Sequence, residues 1–220
     1  MRPSLSRSRR GHQLILALSG AVFVAALVAS SPLGAAAATP YGVNLVKNGG
    51  AENGLTNWET FADFQTHSYG ASGLGFPPTS ESARIDGGSK FFYAGPYDTS
   101  LGTCGDATQQ WTLKGIGSAV DSGHVKVILQ GQAGTNGGGS IFANVDLYFR
   151  NGENHQVASN GITKVVSSTN EVYLRVKGGK VLSPQTRILR LHLWADGDDT
   201  MTAADCQAFW DNLSVVLKNV

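Results

Sequence analysis

Ser140-Ile-Phe-Ala-Asn-Val-Asp-Leu-Tyr-Phe-Arg150 alternates without a break. Ile141, Ala143, Val145, Leu147 and Phe149 form one apolar face, and Phe142, Asn144, Asp146, Tyr148 and Arg150 form a mixed one. A period of two marks a strand with one face in a core and the other in solvent. Arg187 to Trp194 repeats the device, with Leu189, Leu191 and Leu193 on one side and Ile188, Arg190, His192 and Trp194 on the other. The leucines are expected to face the core. The opposite mixture suits a binding surface better than an interior.

Outward from these two runs, further strands are expected at Asn44 to Lys47, Phe91 to Ala94, Ala107 to Leu113, Val125 to Gly131, Val172 to Val176 and Gln207 to Leu217. Gly70 to Gly75, Gly131 to Gly139 and Asp196 to Thr200 read as loops, because glycine, asparagine and aspartate punctuate them. Beyond the N-terminus no stretch of ten or more residues has helical periodicity. Many short strands in a chain with 28 glycines predict an all-β sandwich. No repeat points to a propeller or solenoid.

The first 38 residues carry Arg2, Arg7, Arg9 and Arg10 and no acid, then an apolar run from Leu14 to Val28, then small residues ending in Ala35 to Ala38. The run is about 15 residues, short of the roughly 20 that span a bilayer. It reads as a cleaved secretory signal peptide, residues 1–38, followed by a single domain, residues 39–220. Ser8-Arg9-Arg10 raises the twin-arginine route, but His12 and Gln13 follow where apolar residues belong, which favours general secretion. The expected product is secreted and extracellular, without a membrane anchor after processing, and monomeric. Cleavage removes four arginines from a total of 17 basic and 16 acidic residues, leaving a net charge of about −3. That disfavours a nucleic-acid partner. Cys104 and Cys206 both lie in the exported part, where an isolated pair most simply forms one disulfide, the alternative being two free thiols.

Asn44-Leu-Val-Lys-Asn-Gly-Gly-Ala-Glu-Asn-Gly-Leu-Thr-Asn-Trp58 and Phe209-Trp-Asp-Asn-Leu-Ser-Val215 resemble the first and last strands of galactose-binding-like β-sandwiches. Tyr69 to Pro77, Gly87 to Gly95 and Ala107 to Gln110 are similar to a subgroup of secreted bacterial proteins of poorly defined role. The resemblance implies a two-sheet antiparallel jelly roll. The related family 4 carbohydrate-binding modules hold a structural calcium ion, which maps onto Glu52 and Asp211 with a carbonyl near Gly50. Oxygen-only donors of that kind suit Ca²⁺. The alternative is a solvated turn acid and a hydrogen-bonded edge acid. Asp196, Asp198 and Asp199 lack the spacing of a calcium motif and read as a solvated turn.

Sugar recognition on such sandwiches needs aromatic platforms and a few orienting polar groups. The candidates are Tyr69, Phe76, Tyr93, Tyr97 and Trp194; Tyr69, Phe76 and Tyr97 are expected to be exposed in Gly/Pro-rich loops. Trp58, Trp111 and Trp210 are read as core. No G-x-S-x-G, H-E-x-x-H or P-loop occurs, and His67, His124, His155 and His192 are scattered singly. The expectation is a non-catalytic, lectin-like module for a polysaccharide or glycan. A protein-interaction or adhesion domain is the alternative, and a small extracellular hydrolase a third reading.

Overall fold

The computed structural model describes residues 40–220 except 73–74, 97, 99, 102, 137–140, 158–160, 168–172 and 198–205. The leader, Tyr97, Val172, Asp198 and Asp199 therefore lie outside the described residues. In chain order the elements are β1 (Glu59–Phe61), β2 (Gln65–Ser68), α1 (Thr79–Ile85), β3 (Lys90–Tyr93), β4 (Asp106–Thr112), α2 (Gly117–Asp121), β5 (Val125–Thr135), β6 (Ile141–Arg150), β7 (Ile162–Val166), β8 (Leu174–Val181), β9 (Ile188–Gly197) and β10 (Ala208–Asn219). They form two five-stranded sheets, ordered β1-β4-β9-β6-β7 and β2-β3-β10-β5-β8, with antiparallel pairing throughout.

The alternation in β6 and β9 decides the layering. Val145, Leu147, Phe149, Leu189, Leu191 and Leu193 are all fully buried, and they meet Leu129, Val215 and Trp210 from the other sheet. Burying a large aliphatic side chain stabilises by about 1.5–3 kcal/mol, so this interlayer core dominates the fold. Trp58 and Trp210 are buried as expected, and Trp111 is half-buried against the same cluster.

Cys104 and Cys206 are disulfide-bonded, with Cα atoms 5.6 Å apart. The bond joins the residue two before β4 to the residue two before β10, and so links the two sheets. Asn44 to Lys47 is no regular strand. It docks as a strap: Leu45 N–H donates to Val215 O (2.8 Å), Asn44 Oδ1 accepts from Val215 N–H (3.0 Å), and Gln109 exchanges two hydrogen bonds with the Lys47 backbone (3.0 and 2.6 Å).

Three strands were not expected from the sequence: β1, β2 and β7, of three, four and five residues. They are edge or near-edge strands too short to show a period. The β8 strand also runs past Val176 through Gly178 and Gly179 to Val181. Glycine normally argues against a strand interior, but a Cβ on Gly178 would lie 2.5 Å from Ile162 Cγ2, so close approach of β7 requires it.

Candidate binding face and acidic turn

Cross-strand register assembles the outer face of the β1-β4-β9-β6-β7 sheet into rows. One row is Phe61, Asp106, Trp194, Asn144 and Val165; the next is Glu59, Thr108, His192, Asp146 and Thr163; a third holds Gln110, Arg190 and Tyr148. At roughly 4.8 Å between strands the face is about 19 Å wide, enough for an oligosaccharide rather than one sugar.

Trp194 sits at the centre, half-buried, and its indole is fixed from below. Its Nε1–H donates to Asp146 Oδ2 at 2.7 Å, and the Tyr148 hydroxyl donates to the same oxygen at 3.1 Å. Asp146 Oδ1 is buried without a protein hydrogen-bond partner, so the carboxylate retains acceptor capacity. Burial, followed by the charge and hydrogen bond of Asp146, pushes the Tyr148 phenol up to about 12, so it stays a neutral donor at any ordinary pH. His192 stacks near-parallel on Trp194 with ring centres 6.2 Å apart, and lies 6.3 Å from the Tyr148 ring. Its Nε2 is 3.5 Å from Asp106 Oδ1. Beside this row a depression of about 310 Å³ is lined by Lys47, Asn57, Glu59, Thr108, Gln110 and Trp111.

Three of the other expected platforms are buried, and the fourth, Tyr97, lies outside the described residues. Tyr69 and Phe76 are only 7% exposed, which overturns the expectation that their Gly/Pro-rich loop presents these two rings to solvent, and the candidate Tyr93 in β3 is only 2% exposed. With Phe91, Tyr173 and Phe209 they make a second core on the outer side of the other sheet. The reason lies in the register: Phe209 pairs with Tyr93 on the face opposite Trp210 and Phe92, so strands β3 and β10 present large rings on both sides. Ala71, and Ile85 at the end of α1, pack against this outer set. Burial raises the Tyr93 phenol to about 12.

The acidic residues assigned to calcium do converge on one turn. A Cβ on Gly87 would meet Asp211 Oδ2 at 2.5 Å, one on the adjacent Gly88 would meet Glu52 Oε1 at 2.5 Å, and one on Gly50 would lie 3.4 Å from Asp211 Oδ1. Asp211 is fully buried beside a register shift in β10 and takes part in no ion pair among the described residues. Its Oδ2 accepts from the Tyr69 hydroxyl and its Oδ1 from Asn212 N–H. Burial lifts its carboxyl to about 7; those two hydrogen bonds pull it down and the charge of Glu52 adds to the rise. Glu52 accepts from Ser89 N–H (2.8 Å), Ser89 Oγ (2.6 Å) and Lys90 N–H (2.9 Å). Burial works against its ionisation, but these hydrogen bonds and the Lys90 charge outweigh it and leave the carboxyl below its ordinary value.

Two carboxylates and nearby carbonyls, all oxygen, are the donor chemistry of a hard cation. The described residues contain no group of three or more His, Cys, Asp or Glu that could hold a metal, so an ion here would take further ligands from backbone and water.

These two regions sit on one recognisable scaffold of two antiparallel sheets. The chain folds as a jelly-roll β-sandwich. No family model and no curated protein matches it. Among solved structures the jelly roll is similar to a Stig cyclase from Fischerella sp. TAU, at 12% identity and TM-score 0.53, covering 80% of this chain and 98% of that one. It is also similar to the enzymatically active domain of tailspike protein 4 of bacteriophage CBA120, at 14% identity and TM-score 0.52. That match covers 80% of this chain and 22% of the tailspike chain, so the jelly roll spans about a fifth of its length. TmCBM61 in complex with β-1,4-galactotriose matches at 12% identity and TM-score 0.49, over 81% of this chain and 99% of that one. At such identities the likeness carries the fold alone, and a fold shared by a cyclase and a tailspike domain leaves function to the site.

Sequence reasoning singled out Trp194 but not its partners Asn144, Asp146, Tyr148 and His192 as one site. The mixed faces of both strands were visible, yet nothing local says that β6 and β9 are neighbours.

Proposed function

We propose that this protein is a secreted, non-catalytic module that binds a glycan chain across the outer face of the β1-β4-β9-β6-β7 sheet, with a calcium ion stabilising the turn at Glu52 and Asp211. The observation that carries the reading is the clamped Trp194 ring, set among Tyr148, His192 and polar Gln110 and Arg190, with Asn144 and Thr108 buried in the same rows. A half-exposed indole offers an apolar face to the C–H side of a pyranose, and the surrounding amides, hydroxyls and guanidinium bond its hydroxyl groups. A protein-docking patch would be more continuously apolar. Here the exposed Phe61, Phe142 and Val165 are separated by Asp106, Asn144 and Asp196.

The test is a glycan array with insoluble-polysaccharide pull-down, with and without chelator. Saturable binding lost in a folded Trp194→Ala variant is the expected result. Failure to bind any glycan with the fold intact would shift the assignment to a protein partner.

A further inference from the structure

The solvent face of the opposite sheet has a different character. Register places Lys218 beside Lys126 and Lys126 beside Val181; Val216 beside Ile128 and Gly179; Ser214 beside Gln130 and Lys177; and Gln132 beside Arg175. Four cations thus share a face on a chain whose exported part is net acidic. None of the four takes part in an ion pair among the described residues, although Arg175 donates to Gln130 Oε1 at 3.3 Å. The acid nearest in register, Asp211 opposite Gln132, is buried.

Lys126 and Lys218 lie directly opposite each other, an arrangement that costs stability because like charges on paired positions repel. An anion between them reverses the sign of that interaction. Next to this pair is a depression of about 460 Å³, lined by Gly42, Ile128, Gln130, Lys177, Val216 and Lys218. Its lining combines aliphatic Ile128 and Val216 with cationic Lys177 and Lys218, and Gly42, at φ +75°, lines it beside open space.

We infer that this face is a second binding site, for a linear polysaccharide bearing carboxylates. The cations form two pairs, Lys126 with Lys218 about 5 Å apart across strands and Arg175 with Lys177 about 7 Å apart along β8, and the uncharged Ile128, Val216 and Gly179 row leaves the pairs about 13 Å apart along the sheet, a spread that suits a chain of distributed charge rather than a single anion. Three of the four are lysines, point charges that accept varied carboxylate geometries instead of the planar fork that arginine imposes. These paired positions carry no aromatic ring, so unstacked nucleobases have no platform. The site is separate from the Trp194 face and does not depend on that reading.

The experiment is retention of the full protein on immobilised polygalacturonate, with neutral galactan as control. At low salt the protein is expected to be retained, and it should elute by roughly 0.5 M salt, where the screening length falls to a few ångströms. Lys126→Glu/Lys218→Glu should weaken retention about tenfold or more, as expected for reversing two exposed charges. Circular dichroism should stay unchanged, because both side chains lie on the solvent face. Absence of retention, equal retention on galactan, or insensitivity to the double substitution would overturn the assignment. So would tighter binding to duplex DNA or to phosphatidylserine vesicles, or low-salt self-association abolished by the same substitutions, each of which would give the face a different occupant.

Discussion

Trp194 and Asp146 stand on adjacent antiparallel strands, joined by a 2.7 Å hydrogen bond from the indole Nε1 to the carboxylate Oδ2. Asp146 is itself opposite His192, and Asn144 is opposite Trp194, so the bond runs diagonally across the register. Because Tyr148 donates to the same oxygen, one 4%-exposed acid sets the orientation of two rings. Pre-oriented rings lose little freedom on binding, and such preorganisation raises affinity without new contacts.

Asp146→Ala is therefore expected to weaken glycan binding about tenfold or more while the protein stays folded, since side-chain ordering costs about 0.5–1.5 kcal/mol per group. Trp194→Ala should abolish binding. Calorimetric titration with the best glycan, alongside tryptophan fluorescence, separates the two. Unchanged affinity in Asp146→Ala would remove Asp146 as a positioning residue.

The acidic turn makes stability depend on pH in an unusual direction. An aspartate in the unfolded chain titrates near about 4, whereas folded Asp211 titrates at about 7. Between those values the folded state binds the extra proton, so stability falls as pH rises from about 4 to 7 when no cation is present. Glu81 acts oppositely: the Arg84 hydrogen bond outweighs burial and lowers its carboxyl, so its contribution is present at neutral pH and is lost on acidification below about 4. In chelator the melting temperature should decline through the first window by several degrees, and millimolar calcium should cancel the decline. A melting temperature indifferent to chelator at pH 7 would count against the ion.

Gly88 combines φ of +70° with a Cβ position 2.5 Å from Glu52 Oε1. Gly88→Ala should destabilise by about 1–3 kcal/mol through strain and displacement of that carboxylate, and should blunt the calcium response. Gly152→Ala, where nothing lies within 4 Å, should change stability by no more than about 0.5 kcal/mol. Paired thermal melts check both, and equal effects would refute the close-contact argument.

Reducing Cys104–Cys206, or replacing both by serine, releases a closure spanning 102 residues of sequence. The expected loss is about 2–4 kcal/mol, seen as a melting temperature lower by about 10 °C. A loss below about 1 kcal/mol would mean that the strap and interlayer core already hold the two sheets together.

How much of this was legible beforehand differs by residue. Ile141 to Phe149 and Leu189 to Leu193 declared their buried faces because a strand's period is two whatever it packs against. The edge strands β1, β2 and β7 did not, since three to five residues cannot display a period. Tyr69 and Phe76, expected to be exposed, are buried. Loop composition signals turns, but it does not reveal that Phe91 and Phe209 point outward and need a cover.

Local pattern alone thus determined an all-β sandwich, its central strands, the core tryptophans Trp58 and Trp210 and Trp194 as a candidate platform. These are properties of neighbours in the chain, where the side-chain period is a consequence of backbone geometry. Only the tertiary structure decided that β9 lies between β4 and β6, which builds Trp194, Asp146, Tyr148 and His192 into one face. It likewise decided that Lys126 meets Lys218 and that Glu52 and Asp211 flank one glycine turn. Strand order and register are set by global packing of the two sheets, and residues far apart in sequence carry no local mark of which partner that packing will give them.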